Sequence, residues 1–286
     1  ALYNQLEKDF DIKDTLFSIV CGNGNNGGDG LALARIIEQN EGAVNVYLLQ
    51  SQKYSNDNFI NQQRLEELNI PFILFDLEDD LEILEHSVVI DALFGYGLSR
   101  GLDFEWKNII KQINSTDNFV VSVDLPSGLL PDSVSDKNHP IVKATKTYTF
   151  QSPKLALLLP ENAIYSGEFE VLDIQLDKGS IEEIQTNYFY TTLEDIRQKT
   201  INPNRFSHKG TFGYSLIIGG SYGKIGAVVL SSKAALKTGC GLVTAYVPKC
   251  GYTVLQAAFP EAMTLTDVED NFITEFPKDI AQFSAI

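Results

Sequence analysis

The chain has 286 residues, 44% of them hydrophobic, so it is long enough for two domains and can bury a substantial core. Its formal net charge of −16, without a basic run, disfavours a nucleic-acid or anionic-membrane surface, because such binding relies on clustered Lys and Arg. Three cysteines without CxxC spacing, Cys21, Cys240 and Cys250, disfavour a disulfide framework and a structural zinc site and fit a reducing cytoplasm.

Both ends of the chain resemble interrupted elements. The first residues, ALYNQLEKDF, lack the basic and apolar regions of a signal peptide and fit the second half of an amphipathic helix. The last residues, AQFSAI, fit the approach to a strand. No stretch reaches the roughly 20 apolar residues of a membrane span. We therefore expect a protein without membrane contact whose sequence continues beyond both ends.

The first predicted elements form a βαβ unit. An apolar run, LFSIVC, is followed by a glycine-rich turn, by LALARIIEQN with helical spacing, and by a second apolar run, VNVYLL. Further apolar runs lie near Phe72, Val88 and Phe119, with helical patterns over 61–68 and 104–113. Near-continuous apolar strands that alternate with helices predict an α/β fold, a Rossmann-like parallel sheet in three layers.

The pattern changes after Thr145. KTYTF, KLALLLP and EFEVLDIQL are predicted as extended pieces that end the sheet in edge strands. Acidic and polar residues then dominate over 177–187, and INPN at 201–204 is a further loop signal. YSLIIGGS, GAVVLSSKAALKTG and LVTAYV predict a second βαβ unit. We therefore expect two domains, over 1–180 and 188–286, and the second is also predicted to be α/β.

The segment GNGNNGGDG, from Gly22 to Gly30, lies between a predicted strand and a predicted helix. Glycines there permit positive φ and leave backbone amides free to face an anion at the helix N-terminus. Gly22, Gly24 and Gly27 satisfy GxGxxG, but Gln50 stands where a dehydrogenase needs an acidic residue for the ribose. A Walker A motif fails as well, because the GK of SYGKIG is followed by Ile. An ordinary NAD-dependent dehydrogenase and a P-loop enzyme are therefore disfavoured.

Three motifs together resemble the N-terminal domain of NAD(P)H-hydrate epimerases. They are GNGNNGGDGLALAR, DALFGYGLSRG over 91–101 and VSVDLPSGL over 121–129, in that family's order and spacing. All three fall at the ends of predicted strands, where open α/β sheets bind their ligands. The resemblance implies that the nicotinamide cofactor is the substrate. It is a hydrated NADH or NADPH (NADHX or NADPHX) with a hydroxyl on ring carbon C6, and the enzyme interconverts its R and S epimers.

The resemblance also implies the site residues. Asp124 is the expected substrate contact and general acid/base, because a dry cleft raises a carboxyl pKa toward neutrality; a turn carboxylate is the alternative. A potassium ion is implied on Asn26, Asp91 and Ser127, since hard cations prefer oxygen ligands, although singly Asn26 fits a turn and Ser127 a cap. The other expected substrate-binding residues of this domain are Asn25, Asn26, Gly27, Gly28, Asp29, Gly95, Tyr96, Gly97, Leu98, Ser99, Arg100 and Gly101.

The C-terminal part has a resemblance of its own. The segments over 208–248 and 257–263, the latter AAFPEAM, are similar to the start of the ribokinase-like domain of ADP- or ATP-dependent NAD(P)H-hydrate dehydratases. In that family the domain removes the C6 water from the S epimer and consumes a nucleotide. Gly226 and Ala227, at the start of a helix, would approach the substrate. The family's nucleotide-binding strands and catalytic aspartate lie beyond Ile286, so a partial domain is expected.

Two other functions fit parts of the sequence. A small-molecule kinase of the ribokinase fold would explain the C-terminal half but leaves the three N-terminal motifs unexplained. Domains similar to the first half also serve as non-catalytic scaffolds in messenger-RNA decapping proteins. The presence of Asp91, Asp124 and the complete asparagine-glycine loop favours an enzyme. The sequence does not separate NADHX from NADPHX or ADP from ATP. The resemblance implies a homo-oligomer, and the cysteine content favours a cytoplasmic location.

Overall fold

The computed structural model describes residues 1–136, 138–200 and 202–286. The chain divides into two compact units, Ala1–Tyr190 and Thr191–Ile286. The expected loop over 201–204 includes Ile201, which lies outside the described residues. Among the described residues, no helix combines the length and the apolar character needed to cross a bilayer.

Seven parallel strands form the centre of the first unit. They are β1 (Leu16–Cys21), β2 (Ala43–Leu49), β3 (Ile73–Phe75), β4 (Val88–Ala92), β5 (Phe119–Val123), β6 (Lys146–Phe150) and β7 (Glu168–Leu172). The helices are α1 (Leu2–Asp9), α2 (Asn25–Gln39), α3 (Asn56–Glu67), α4 (Lys107–Asn114), α5 (Leu155–Leu158), α6 (Ala163–Ser166) and α7 (Lys178–Glu182). The strand order is β3-β2-β1-β4-β5-β6-β7, so the chain switches direction across the sheet between β1 and β4.

Helices cover both faces of this sheet. Adjacent residues of β1 point to opposite sides, and Ile19 packs in the core beneath α2 and α3, which contribute Leu31 and Leu65. Val20 packs on the other side, in a second core with Ile109 of α4. This arrangement confirms the predicted α/β class with a parallel sheet. It also places the β1–α2 and β4–α4 connections on either side of the switch point, where such sheets bind ligands.

One local prediction was wrong, and two others need correction in detail. KLALLLP is not extended, since Leu155–Leu158 form helix α5, whose apolar residues pack in a small separate core. KTYTF is extended as predicted but is not an edge strand, because β6 pairs with β5 and β7, and the edge strand is β7 from EFEVLDIQL. The helix predicted over 61–68 begins earlier, at Asn56, because the Ser55 side chain caps it by accepting a hydrogen bond from the Asn58 amide.

The second unit contains a smaller parallel sheet. Its strands are β8 (Tyr214–Ile218), β9 (Leu242–Val247) and β10 (Met263–Thr266), in the order β10-β9-β8. Its helices are α8 (Leu193–Lys199), α9 (Gly226–Lys237) and α10 (Gly251–Ala258). Ala285, in the segment predicted to approach a strand, forms an isolated parallel bridge with Ser215 of β8. The predicted second βαβ unit is therefore present as β8-α9-β9.

Candidate functional site

A cleft of about 420 Å³ lies at the carboxyl ends of the central strands of the first unit. Three connections border it, those that follow β1, β4 and β5, together with Phe150 at the end of β6. Its walls are Gly24, Asn25, Asn26, Asp29, Leu93, Phe94, Gly95, Tyr96, Gly97, Leu98, Asp124 and Phe150. All three sequence motifs therefore contribute residues to one cleft.

Helix α2 begins inside the glycine-rich motif and points its N-terminus at the cleft. Gly24 is the residue before the helix, and no side chain caps the first turn. The first backbone N–H groups of a helix have no partner within it and carry the positive end of the helix dipole. Because Gly24, Asn25 and Asn26 line the cleft, this end of α2 can hold a phosphate or diphosphate.

Most glycines of the motif serve close packing. A Cβ atom on Gly27 would lie 1.8 Å from the Gly22 carbonyl oxygen, and one on Gly22 would lie 2.1 Å from the Leu93 oxygen. Gly30 faces the sheet, where a Cβ would come within 2.7 Å of the Ala92 side chain. By contrast, the position of a Cβ on Gly24 is open. The glycines thus let α2 pack against the ends of the strands. Open space remains only at Gly24, which lies at the cleft.

Asp124 lies at the floor of the cleft in a left-handed backbone conformation, with φ of 68°. Its Oδ2 accepts a hydrogen bond of 3.0 Å from the Tyr96 amide, and its Oδ1 accepts one of 3.3 Å from the Phe150 amide. Positive φ in a non-glycine residue is uncommon and clusters at functional sites. The strand end, the Tyr96 loop and the β6 end together fix this carboxylate.

Lys154 is a candidate functional residue that sequence reasoning missed. Its ammonium forms an ion pair with Asp124 Oδ1 and donates to Thr149 Oγ1 and the Phe150 carbonyl oxygen, each at 2.9 Å. The Lys154 and Asp124 side chains are only 12% and 10% exposed. The prediction of KLALLLP as a strand concealed this arrangement. No local pattern indicates this contact, because Lys154 and Asp124 lie 30 residues apart in the chain.

Asp91 lies behind the cleft floor and is fully buried. Its Oδ1 accepts a hydrogen bond of 2.5 Å from Ser127 Oγ, and its Oδ2 accepts bonds from the Ser127 amide at 2.8 Å and Ser122 Oγ at 2.7 Å. Burial raises the pKa of this carboxyl although these donors oppose the shift. Asn26, from the facing helix, has a buried amide nitrogen without a hydrogen-bond partner among the described residues.

Asp29 is a second carboxyl group on the cleft wall, one turn along α2 from Asn25. The protein around it raises its pKa to about 6, first through desolvation and then through the negative charges of Asp124 and Asp57. A carboxylic acid with this pKa is partly protonated near neutral pH. The cleft therefore contains one carboxylate paired with an ammonium and one carboxyl able to donate a proton.

The rest of the cleft wall is aromatic and apolar, formed by Phe94, Tyr96, Leu98 and Phe150. Tyr96 is 57% exposed and can stack on a planar ring. Phe94 is held from behind by Trp106, whose ring lies edge-on to it at 4.6 Å between centroids.

Five of the substrate-binding residues predicted for the first unit lie outside the cleft that its described residues form. Gly27 and Gly28 are buried behind its wall. Arg100 is exposed and lies 3.6 Å from Asp103, between Nη2 and Oδ2. Gly101 packs on His139, where a Cβ would meet the imidazole ring at 2.6 Å. The fifth, Ser99, adjoins them.

The second unit has a glycine-rich connection of its own between β8 and α9. Gly220 and Gly223 have φ of 91° and 78°, values that favour glycine. Gly226 and Ala227 are exposed at the start of α9. Beside this connection, buried Asp267 accepts backbone hydrogen bonds from Glu269, Thr274 and Glu275. The exposed helix start leaves room for a ligand, while Asp267 fixes the loop that follows β10.

The doubly wound parallel sheet and its strand-end cleft define the first unit as a Rossmann-like α/β domain of the ligand-binding kind. The family model described as YjeF-related protein N-terminus matches residues 1–156. A second model, described as NAD(P)H-hydrate dehydratase, matches residues 215–278. The chain therefore belongs to the YjeF-related family, and the resemblance found in its sequence is confirmed.

Proteins similar to this chain include bifunctional NAD(P)H-hydrate repair enzymes and NAD(P)H-hydrate epimerases. The chain is 35% identical to the bifunctional NAD(P)H-hydrate repair enzyme Nnr of Moorella thermoacetica over 87% of its own length and 48% of that protein. It is 36% identical to the NAD(P)H-hydrate epimerase of Oenococcus oeni over 58% of its own length and 77% of that protein. The crystal structure of yeast ynu0 has the same fold, with a TM-score of 0.53, 18% identity, and coverage of 68% of this chain and 84% of that one. The chain spans about half the length of the bifunctional relatives it matches.

Proposed function

We propose that this protein repairs hydrated nicotinamide cofactors and that its first unit interconverts the R and S epimers of NADHX or NADPHX at C6. The observation that carries this proposal is the buried Asp124–Lys154 pair at the floor of a cleft whose mouth is a helix N-terminus. A helix N-terminus suits the cofactor's diphosphate, and the aromatic wall suits its ring. The names of the relatives from Moorella and Oenococcus support the same substrate.

The chemistry of the two carboxyl groups fits an exchange of the C6 hydroxyl. Departure of the hydroxyl as water needs one proton, and the electron pair of the ring nitrogen forms a C=N bond to C6. Water then adds to the other face of C6 and loses one proton, so atoms and charge balance. We assign the donor role to Asp29, whose pKa is raised to about 6. We assign the acceptor role to Asp124, which is held at the cleft by its ion pair with Lys154.

A potassium ion is part of the proposal, held by Asn26, Asp91 and Ser127. The donor chemistry fits, because the three side chains supply carboxylate, amide and hydroxyl oxygens. The unpartnered buried amide nitrogen of Asn26 fits as well, since turning the amide by 180° presents an oxygen at the same position. Such an ion would hold the β1, β4 and β5 connections together by neutralising Asp91.

For the second unit we propose the dehydratase role that its family match names, with ADP or ATP as the nucleotide. Ala227 and Gly226, exposed at the start of α9, would contact the S epimer. We also propose that the protein is cytoplasmic and forms a homo-oligomer. Sedimentation of the purified chain measures the oligomer directly.

The test is an epimerase assay on the full chain. R-enriched NADPHX is mixed with enzyme and potassium, and the ratio of epimers is followed by chromatography against the spontaneous rate. Asp124→Asn should lower the enzymatic rate by at least about a hundredfold, as expected for loss of a general base. Asp117→Asn is the matched control, because Asp117 is exposed and precedes β5 while Asp124 follows it. A wild-type rate equal to the spontaneous rate would refute the proposal.

A further inference from the structure

Asn58 of α3 is a fully buried polar residue outside the three motifs. Its Nδ2 donates one hydrogen bond to the Gly22 carbonyl oxygen at 2.8 Å and another to the Gly24 carbonyl oxygen at 3.0 Å. These two carbonyl groups lie on either side of Asn23, immediately before helix α2 begins. One side chain of α3 therefore holds the backbone of the glycine loop at two points.

The orientation of the Asn58 amide is fixed by its own neighbours. Gln62 donates from Nε2 to Asn58 Oδ1 at 2.7 Å, and the Asn58 backbone amide donates to Ser55 Oγ at 3.3 Å. Because Oδ1 has a donor facing it, a flipped amide would place two donors together and an oxygen against two carbonyls. The Nδ2 group must therefore face the loop.

The packing of α2 on α3 brings Asn58 this close. A Cβ atom on Gly28 would lie 3.1 Å from Asn58 Cα, so the two helices approach at the first turn of α2. The loop is also held from the same side, because the Ser55 amide donates to the Asn23 carbonyl oxygen at 2.9 Å. The close approach of α2 and α3 therefore explains why the motif has a glycine at Gly28.

We propose that Asn58 is a positioning residue for binding of the cofactor diphosphate, a role that rests on the proposed function. It keeps the carbonyl oxygen of Gly22 turned toward α3 and adds a second bond to the Gly24 carbonyl oxygen, which also accepts the Gly28 amide within α2 at 3.1 Å, so that backbone amides rather than the Gly22 carbonyl face an anion at the start of α2. A carbonyl oxygen turned into the cleft would repel a diphosphate, and a loosened loop would have to be ordered again on binding. Asn58 should therefore act on substrate affinity more than on the chemical step.

The test compares Asn58→Leu with Asn61→Ala in the full chain. Asn61 is the matched control because its amide nitrogen bonds within α3, to the Asp57 carbonyl oxygen at 3.0 Å. Loss of the hydrogen bond to the buried Gly22 carbonyl, together with the part-buried one to Gly24, should raise KM for NADPHX about tenfold, with kcat changed less than about threefold. The affinity for inorganic pyrophosphate, measured by calorimetry, should fall by a similar factor, and Asn61→Ala should leave both values unchanged.

The outcomes separate this proposal from the proposed function. If the wild-type chain has no epimerase activity, the proposed function fails, and the pyrophosphate affinities alone judge the role of Asn58. If Asn58→Leu does not fold, Asn58→Ser replaces it, since one hydroxyl can serve only one carbonyl and should give an intermediate KM. A folded Asn58 variant with wild-type KM and wild-type pyrophosphate affinity overturns the proposal. So does a variant whose kcat falls while KM stays the same.

Discussion

Replacing Lys154 with methionine should destabilise the first unit by about 3 kcal/mol, because it leaves the Asp124 carboxylate buried without its partner. Two unit charges roughly 4 Å apart attract by about 4 kcal/mol at an effective dielectric constant near 20. Breaking a buried ion pair by removing one partner costs roughly 3–5 kcal/mol. The lower value applies here because both side chains keep about a tenth of their exposure at the cleft floor.

Urea unfolding followed by tryptophan fluorescence measures the free energy of unfolding of the first unit, in which Lys154 lies. Trp106 is the only tryptophan of the chain and packs against Phe94 of the cleft wall. Asp124→Asn in the Lys154→Met background removes the stranded charge, so the double variant should recover about 2 kcal/mol of the loss. Lys143→Met, at an exposed lysine, should change stability by less than about 0.5 kcal/mol. Additive effects of the two substitutions would refute the buried pair.

Three further predictions concern the glycine loop, the second carboxyl group and the second unit. Gly27→Ala should lower Tm by roughly 5 °C or more, because the new Cβ would overlap the carbonyl oxygen of Gly22. Gly24→Ala should leave Tm unchanged, because the space around Gly24 is open. Equal Tm values for the two variants would contradict the packing role of Gly27. The enzymatic rate should fall as pH rises through about 6, where Asp29 loses its proton, and Asp29→Asn should be slow with a flat profile; an unchanged profile would exclude Asp29 as the donor. Backbone and Thr274 hydrogen bonds lower the pKa of Asp267 below its usual range despite desolvation. The stabilisation from this carboxylate is therefore present at neutral pH and is lost as pH falls through the lowered pKa. Circular dichroism should show Asp267→Asn destabilised equally from pH 8 to 5, with the difference from wild type shrinking only in stronger acid.

The sequence predicted the parts of the fold that depend on local pattern. Apolar runs and helical spacing gave β1, α2, β2, β4 and β5, and the three motifs fell at the strand ends that border the cleft. Parallel strands bring their carboxyl ends to one edge of a sheet, so motifs far apart in the chain could be assigned to one cleft before any distance was known. The individual substrate contacts stay predictions, and Ser99 to Gly101 lie outside the cleft wall.

What the sequence did not predict depends on contacts between distant segments. Lys154 meets Asp124 across 30 residues, and Asn58 meets Gly24 across 34 residues. Periodicity carries no information about such pairs. The short helix α5 was missed for a related reason, because its apolar residues serve a small core that only the tertiary fold creates. The left-handed conformation of Asp124 has no local signature either, since Asp-Leu-Pro also occurs in ordinary turns.

The structural roles of the individual glycines bear on whether the first unit is an enzyme or a non-catalytic scaffold. Gly22, Gly27 and Gly30 are required by backbone packing, so a protein that had lost catalysis would still need them to place α2 on the sheet. The glycine-rich loop by itself therefore does not distinguish an enzyme from a scaffold. The Asp124–Lys154 pair favours the proposed enzyme, because burying two charges is weak as a source of stability and positive φ adds strain at the same residue. A scaffold gains nothing from this arrangement, whereas proton transfer at a bound ring requires a charged group held in one place.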